Sequence, residues 1–298
     1  MRPSLNALPC FNTIEYITEI ESGFSQRCFK VCADNKIYFA KTINDNTEAL
    51  VSTCANNANL SPAVIYHDDK WLISQFIDAN NIELSAISTD NKIKHAIKLM
   101  VQCHQLTIQP AELAVKDIIS SLVNKTHYST PDKTILLQFS DWISIPLNIR
   151  KKGVCCHGDL NFSNVLMDQM QKTWLIDYEC ACTAPVEFDL AMFIAVNNIT
   201  KNKVATIIEQ YEVQSSVNVA PKLLNNYLLF CYFINALWYL NTYQDAIDIE
   251  NKKALLIQTK AQWFRLQSSL KASDLPLFSS LSIKLTDILT TFDLSKQT

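Results

Sequence analysis

Hydrophobic and polar residues alternate over much of the first eighty positions, a period typical of half-buried β-strands. The polar pair at 34–35 separates two alternating stretches and predicts a tight hairpin. Within this hairpin, we expect Phe29 and Val31 to lie against Ile37 and Phe39. The pattern predicts strands over 14–20, 26–33, 36–43, 63–66 and 71–76, with a helix at 47–59.

Further along the chain, apolar residues recur every three to four positions, the period of an amphipathic helix. The stretch 92–106 places Ile93, Ile97 and Val101 on one face. His104 shares this face, and we interpret it as a hydrogen-bonded core histidine rather than a ligand. Other helices are predicted over 111–125, 134–143, 187–196, 201–213, 221–243 and 250–271.

Strands followed by helices predict an α+β fold. A chain of 298 residues is long enough for two lobes that share a cleft. We expect residues 1–78 to form a small antiparallel β N-terminal lobe. Residues 79–298 would form a larger, mainly helical C-terminal lobe.

Composition limits the possible classes of function. Hydrophobic residues make up 48% of the chain and charged residues 18%, which supports a buried core and argues against disorder. The formal net charge is −3 and the longest basic run is 150–152, so nucleic-acid binding has little electrostatic support. The apolar run 227–240 is too short to span a bilayer and predicts a buried helix. No signal-peptide pattern is visible, and the ten cysteines suit a reducing compartment. We therefore expect a cytoplasmic protein that does not bind membranes.

One group of polar residues stands out between residues 154 and 179. His157, Asp159 and Asn164 have the spacing H-x-D-x-x-x-x-N, and a second apolar run then ends in Asp177-x-Glu179. This is the arrangement of a kinase catalytic loop and its metal-binding aspartate. We expect Asp159 to accept the proton of an attacking hydroxyl. Asn164 and Asp177 would hold Mg²⁺ against the phosphates of ATP.

Each of these residue types is also common in turns and caps, so a lone His-x-Asp would be a weak signal. The full spacing, with an apolar run before each polar group, favours a kinase-like site. Cysteines at 155–156, 180 and 182 flank the pattern, but their spacing does not match a structural zinc site.

Glycine is rare, and its three positions are informative because glycine allows positive φ or close approach to a ligand. Gly158 lies inside the predicted catalytic loop. Gly23 shares a turn with Ser25, whose backbone N–H groups could bind phosphates, although an ordinary hairpin explains the turn equally well. Lys41 ends a Phe-Ala-Lys strand similar to the V-A-I-K lysine that pairs with ATP phosphates.

Four further residues have either two interpretations or a weaker signal. Glu48 either pairs with Lys41 or favours the N-terminus of its helix. Gln75 and Ile77 belong to a predicted hinge whose backbone would bond an adenine edge. Asp189 either favours a helix N-terminus or braces the catalytic loop.

These segments resemble the aminoglycoside phosphotransferase / choline kinase superfamily. The I-D-Y-E segment and the sequence of residues 22–29 look most like the choline/ethanolamine kinase and bacterial thiamine kinase branch. The resemblance is specific over 154–191, moderate over 20–80 and slight beyond 200.

The resemblance implies a two-lobed, protein-kinase-like fold that uses MgATP to phosphorylate a hydroxyl of a small molecule. At matching positions it implies a catalytic base at Asp159 and metal ligands at Asn164 and Asp177. It implies an acidic residue near the metals at Glu179 and a phosphate-binding lysine at Lys41. His157 and Asp189 match residues that shape the loop.

The acceptor is the least determined part of this hypothesis. Aromatic side chains attract cationic alcohols such as choline, ethanolamine or thiamine, but at helical spacing they also form cores. Aminoglycosides would need a carboxylate cluster, and residues 251–298 contain few acids. We expect a small, cationic alcohol as the partner and leave the oligomeric state open. The candidate aromatics are Tyr227, Tyr232, Trp238, Tyr239, Tyr243, Trp263 and Phe264.

Three alternatives remain at this point. The first is an aminoglycoside- or sugar-type phosphotransferase, and the second is a catalytically inactive kinase-like binding module. A protein kinase is disfavoured, because Pro185 and a helix follow Asp177 too soon for a long activation segment.

Overall fold

The computed structural model describes residues 5–20, 26–144, 147 and 152–271. Within these ranges, the strands are β1 (Ile14–Ile20), β2 (Cys28–Ala33), β3 (Lys36–Thr42), β4 (Val64–His67), β5 (Trp71–Gln75), β6 (Ala79–Asn81), β7 (Val154–Cys156), β8 (Val165–Asp168), β9 (Thr173–Leu175) and β10 (Cys182–Ala184). The helices are α1 (Thr47–Asn57), α2 (Thr89–His104), α3 (Val115–Lys125), α4 (Thr130–Ser144), α5 (Val186–Val196), α6 (Lys201–Ser215), α7 (Pro221–Asp245) and α8 (Ile249–Lys271). The predicted α+β class is confirmed.

The first sheet is antiparallel, with the strand order β1-β2-β3-β5-β4. Its tightest turn lies between β2 and β3, where Asp34 and Asn35 have φ of 52° and 59°. Positive φ at both central residues is what a two-residue type I′ hairpin needs, and Asp and Asn tolerate it. The predicted hairpin is therefore present.

The predicted facing of this hairpin is wrong for β3. Val31 pairs with Tyr38 and Phe29 pairs with Ala40, so Tyr38 and Ala40 share their face. Ile37 lies on the other face and is 39% exposed. The two-residue turn fixes this register, and a shift of one residue moves every side chain to the opposite face.

Apolar groups cover both faces of this sheet. On one face, the N-terminal segment contributes Leu5 and Leu8 to a cluster with Val31, Trp71 and Ile73. A second cluster joins Ala49 of α1 to Ile43 and Leu72. The sheet thus forms a packed layer on which Lys41, in β3, is held in position.

Two small sheets surround the predicted catalytic loop. β7 pairs with β10, while β8 lies between β6 and β9. β6 and β10 were not predicted, because each is only three residues long and shows no clear alternation. They nevertheless anchor the strands on either side of the loop.

The structure divides into two compact units. One comprises Met1–Glu112, Lys152–Asp189 and Ile199–Val219, and the other comprises Leu113–Lys151, Leu190–Asn198 and Ala220–Thr298. All of the predicted site residues that the structure describes belong to the first unit. The predicted lobe boundary after residue 78 lies inside that unit and stays a prediction.

Capping residues explain where two helices begin. α2 starts at Thr89 instead of 92, because the Ser88 side chain accepts the Asn91 N–H. α4 starts at Thr130 instead of 134, after Ser129 accepts the Asp132 N–H. Side-chain caps of this kind extend a helix beyond its apolar pattern.

Helix α7 is the one described helix that is long and apolar enough to cross a membrane. It has 25 residues, and 72% of its most apolar window is buried inside the structure. The core helix of a soluble protein passes the same length and composition test. The predicted buried helix over 227–240 lies within α7 and is confirmed.

Candidate active site

The loop after β7 is shaped by the side chain of Asn161. Its Oδ1 accepts the Asn164 N–H at 2.9 Å and the Ser163 hydroxyl at 2.5 Å, which caps the short 3₁₀ helix Phe162–Asn164. This turn directs the Asn164 carboxamide back toward Asp159. Asn164 Nδ2 donates to the Asp159 carbonyl at 2.9 Å and lies 3.4 Å from Asp159 Oδ2.

Gly158 allows the loop to pass against the segment after β9. Its φ is +79°, in the left-handed region. A Cβ at this position would lie 2.1 Å from the Cys180 carbonyl oxygen. Both the conformation and the close approach therefore require glycine.

The Asp159 carboxyl lies in a partly buried, negatively charged environment. Asn161 Nδ2 donates to its Oδ2 at 3.2 Å. Burial, followed by the negative charge of Asp177, raises the pKa of Asp159 to about 7. Near neutral pH this carboxyl is thus poised to gain or lose a proton.

Lys41 lies at the centre of a cluster of carboxylates. Its Nζ is 2.9 Å from Glu48 Oε1, 2.5 Å from Asp177 Oδ1 and 3.3 Å from Glu179 Oε2. The Lys41 and Glu48 side chains are each 6% exposed, whereas those of Asp177 and Glu179 are 33% and 29% exposed. The ion pair between Lys41 and Glu48 is present, and Glu48 also lies in the first turn of α1.

The charges in this cluster do not balance. Burial lowers the pKa of Lys41, but the negative charges of Asp177, Glu48 and Glu179 outweigh it and raise the pKa above its ordinary value. Burial raises the pKa of Glu48 to about 7, against the opposing charge of Lys41. One ammonium among three carboxyls leaves an excess of negative charge, which favours a bound cation.

Asp177 has a left-handed backbone conformation between Ile176 and Tyr178. Its φ is +71°, which Asp tolerates better than most non-glycine residues. The Ile176 N–H donates to the Asn164 carbonyl at 3.0 Å, so the backbone connects the two predicted metal ligands. Beneath them, Ser61 bonds the buried Tyr178 hydroxyl at 2.7 Å.

His157, predicted as a catalytic residue, is completely buried. Its Nε2 donates to the Ile176 carbonyl at 2.9 Å, and its Nδ1 accepts the Asp159 N–H at 3.3 Å. Burial lowers its pKa, so the ring stays neutral at physiological pH. With both nitrogens engaged by backbone groups, His157 fits a loop-shaping role and not a direct part in proton transfer.

Asp189 holds the same loop through the backbone N–H groups of His157 and Gly158. Its Oδ2 accepts the His157 N–H at 3.0 Å, and its Oδ1 accepts the Gly158 N–H at 2.9 Å. His104 Nε2 lies 2.9 Å from Oδ2, so His104 is a hydrogen-bonded interior residue, as expected. Asp189 lies in the first turn of α5 and also braces the loop, so both interpretations of it apply.

The remaining predicted nucleotide contacts belong to the hinge after β5 and to the turn at Gly23 and Ser25. Gln75 ends β5, and its N–H is already bonded to the Ala63 carbonyl at 2.8 Å. The Ile77 carbonyl accepts the Ala79 N–H, whereas its own N–H makes no hydrogen bond within the described ranges. An adenine contact at this hinge is thus more compatible with Ile77 than with the Gln75 N–H. Gly23 and Ser25 lie outside the described residues.

Two groups of side chains in the described ranges have ligand atoms close enough for a metal ion. Glu48, Asp177 and Glu179 place one carboxylate oxygen each within 4.8 Å of one another. Hard oxygen ligands of this kind suit Mg²⁺. The second group is His104, Cys156 and Asp189. There the histidine and carboxylate bond each other and the Cys156 thiol lies 3.5 Å from the Ala184 carbonyl, so this group is satisfied without a metal.

Comparison of the chain with models of known protein families gives a match over residues 36–271 to choline/ethanolamine kinase. The chain belongs to the choline/ethanolamine kinase family. It is therefore a small-molecule kinase, a phosphotransferase that acts on an alcohol group.

Solved structures share the fold of this kinase. Choline kinase LicA from Streptococcus pneumoniae has 16% sequence identity and a TM-score of 0.67, covering 86% of this chain and 94% of its own. LicA in complex with AMP has 15% sequence identity and a TM-score of 0.65, covering 86% of this chain and 92% of its own. An ethanolamine kinase from Plasmodium vivax has 16% sequence identity and a TM-score of 0.62, covering 89% of this chain and 84% of its own. The predicted protein-kinase-like fold is confirmed.

The search of curated protein sequences gives no match. At these low identities, the structural likeness establishes the fold and not the substrate.

Replacing Gly158 by alanine should destabilise the protein strongly. The new Cβ would collide with the Cys180 carbonyl at a φ that alanine disfavours, so we expect a loss of about 2–4 kcal/mol in free energy of unfolding. Gly153→Ala is the comparison, because the φ of Gly153 is outside the left-handed region and its nearest contact is a side-chain methyl group of Thr183, not a backbone carbonyl. Urea denaturation of both variants measures the difference, and equal losses would contradict the assignment.

The stability of metal-free protein should show the cost of ionising Asp159. Because burial raises its folded-state pKa to about 7, Asp159 favours folding when protonated, and this contribution is lost as pH rises from about 4 through 7. Asp159→Asn should therefore raise the melting temperature at pH 8 more than at pH 5. The control Asp141→Asn changes an exposed carboxylate and should show no such trend. An equal effect of Asp159→Asn at both pH values would argue against a raised pKa.

Proposed function

We propose that this protein transfers the γ-phosphoryl group of MgATP to the hydroxyl of a small cationic alcohol in the cytoplasm. Choline, ethanolamine and thiamine are the acceptor types considered. The proposal has two parts, the nucleotide chemistry and the identity of the acceptor, and different observations support them.

The observation that carries the nucleotide part is the cluster around Lys41. A buried, paired lysine on β3 meets Asp177 at 2.5 Å, and the backbone then connects Asp177 to Asn164. In kinases, such a lysine binds phosphates, and its glutamate partner aims it. The charge distribution thus suits a polyphosphate with its accompanying cation.

The donor set fits Mg²⁺. Asn164, Asp177 and Glu179 would hold it, through a carboxamide and two carboxylates that are hard oxygen ligands. Asn164 Nδ2 is engaged by Asp159, so its oxygen is the carboxamide atom left for a cation. When bound, Mg²⁺ supplies neutralisation of the charge on the phosphates. Without a cation, Lys41 alone faces the excess of carboxyl groups.

Asp159 is the group best suited to accept the proton of the acceptor hydroxyl. A base is most effective when its pKa is near the working pH, and burial raises the pKa of Asp159 to about 7. The amide groups of Asn161 and Asn164 hold its carboxyl in place. The loop therefore fixes both the orientation and the basicity of this residue.

The family assignment and the net negative charge of the site support a cationic acceptor. The late aromatics add less support than expected, because Tyr227, Tyr232, Tyr243 and Trp263 are all buried in the core. Of the same aromatics, Trp238 is 40% exposed and Phe264 is 69% exposed. An aminoglycoside or sugar acceptor and an inactive binding module remain the alternatives.

An assay of ADP release tests the whole proposal. Purified protein with MgATP would be given choline, ethanolamine, thiamine, sugars and aminoglycosides in separate reactions. We expect turnover with at least one cationic alcohol. Turnover with an aminoglycoside alone would overturn the acceptor assignment, and nucleotide binding without turnover on any acceptor would favour the inactive module.

Asp159→Ala should abolish turnover almost completely and retain nucleotide binding. The substitution removes the proposed base and leaves Lys41 and Asp177 in place. Measurement of kcat, with calorimetric titration of MgADP, separates the two effects. Retention of most of the rate on the best acceptor would show that Asp159 is not the base.

Asp177→Asn should abolish MgADP binding and leave the fold intact. Asparagine tolerates the φ of +71° but carries no charge, so the variant isolates the electrostatic role. Asp34→Asn is the matched control, because Asp34 also has positive φ, at 52°, and lies in the β2–β3 turn. Calorimetry and melting curves are the measurements, and wild-type MgADP affinity in Asp177→Asn would contradict the proposed metal site.

A further inference from the structure

Tyr211, in α6, is a buried residue that the sequence patterns did not single out. Its side chain is 1% exposed, and its hydroxyl lies 2.8 Å from His104 Nδ1. The two rings meet edge to face, with centroids 5.6 Å apart and planes at 64°. This contact joins α6 to the end of α2.

The carboxylate of Asp189 fixes the direction of its hydrogen bond with His104. Asp189 is a carboxylate that only accepts, since interactions with His104 and Gly158 outweigh burial and hold its pKa below the ordinary value. His104 Nε2 must therefore carry a proton toward Asp189. In a neutral imidazole, Nδ1 is then an acceptor, and the Tyr211 hydroxyl is the donor within reach.

The protonation of Tyr211 supports the same direction. Burial keeps the Tyr211 hydroxyl protonated by raising its pKa. With His104 neutral, the chain of donors runs from Tyr211 through His104 to Asp189.

The receiving end of this chain is the predicted catalytic loop. Asp189 uses its two oxygens to accept the backbone N–H groups of His157 and Gly158, the two residues that precede Asp159. Gly158 has no free space on its other side, where the Cys180 carbonyl approaches. A rotation of the Asp189 carboxylate would therefore be transmitted to the backbone that carries Asp159.

We infer that Tyr211 is a positioning residue for phosphoryl transfer. The Tyr211 hydroxyl holds His104 in the tautomer and orientation that let the Asp189 carboxylate accept the N–H groups of His157 and Gly158. The inference rests on the proposed function for its kinetic consequence, but its structural consequence can be measured without any turnover.

The test is Tyr211→Phe, which removes one oxygen and keeps the ring packing. The loss of one hydrogen bond in the network should lower kcat by about three- to tenfold and leave the KM for ATP unchanged. Tyr66→Phe is the matched control, because it also removes a hydroxyl that bonds a side chain, at 3.0 Å from Asp68, in the first sheet. The control should leave kcat unchanged.

Two spectroscopic measurements separate positioning from a general loss of stability. Amide hydrogen exchange at His157 and Gly158 should become faster in Tyr211→Phe and stay unchanged in Tyr66→Phe. The ¹⁵N shift of His104 Nδ1 should move, because its hydrogen-bond donor is gone. Both can be recorded on metal-free protein, so they decide the inference even if no acceptor gives turnover.

A double-mutant cycle tests whether Tyr211 acts through His104. His104→Gln alone should reduce kcat further than Tyr211→Phe, and adding Tyr211→Phe to it should change kcat less than twofold. Additive effects would overturn the inference. So would a Tyr211→Phe protein with unchanged amide exchange, or one whose kcat per folded molecule equals that of the wild type. If His104→Gln does not fold, the amide exchange and ¹⁵N shift of Tyr211→Phe decide alone.

Discussion

The site depends on one ammonium group that is shared by three carboxyl groups. Lys41 is buried on β3, where the packed sheet fixes its backbone, and its Nζ contacts Glu48, Asp177 and Glu179. A buried cation is costly unless it is paired, so the pairing with Glu48 is what allows Lys41 to remain in the interior. The other two carboxyls are partly exposed, and their unbalanced charge is the property that suits the site to a cation and phosphates.

The loop that carries Asp159 is held both by its own side chains and by neighbouring groups. Asp189 accepts two of its N–H groups, the His157 side chain bonds the Ile176 carbonyl, and Gly158 lies against the Cys180 carbonyl. Asp159 can therefore keep a fixed position although its charged form is disfavoured by its surroundings.

Much of the fold could be predicted from the sequence, because long apolar patterns are local signals. The β2–β3 hairpin and the helices after residue 80 are of this kind. The three-residue strands β6 and β10 were missed, since so short a segment shows no period and is stabilised only by its partners. The face of β3 was also wrong, because alternation alone gives two faces and only the turn selects between them.

The motif spacing predicted which residues form the candidate site but not how each of them is held. Asn164 bonds Asp159 within one short loop, and the Ile176 N–H, next to Asp177, bonds the Asn164 carbonyl after strands β8 and β9. The spacing could not show that His157 is buried with both nitrogens engaged. Tyr211 was missed for a related reason, since its role depends on a tertiary contact with His104 in another helix.

The site also contains features that oppose folding. Burial raises the pKa of Asp159, so its charged form destabilises the folded state. Burial also raises the pKa of Glu48, against the opposing charge of Lys41. Packing alone would favour neutral residues at these two positions. The cation binding and proton transfer proposed above would account for both carboxyl groups.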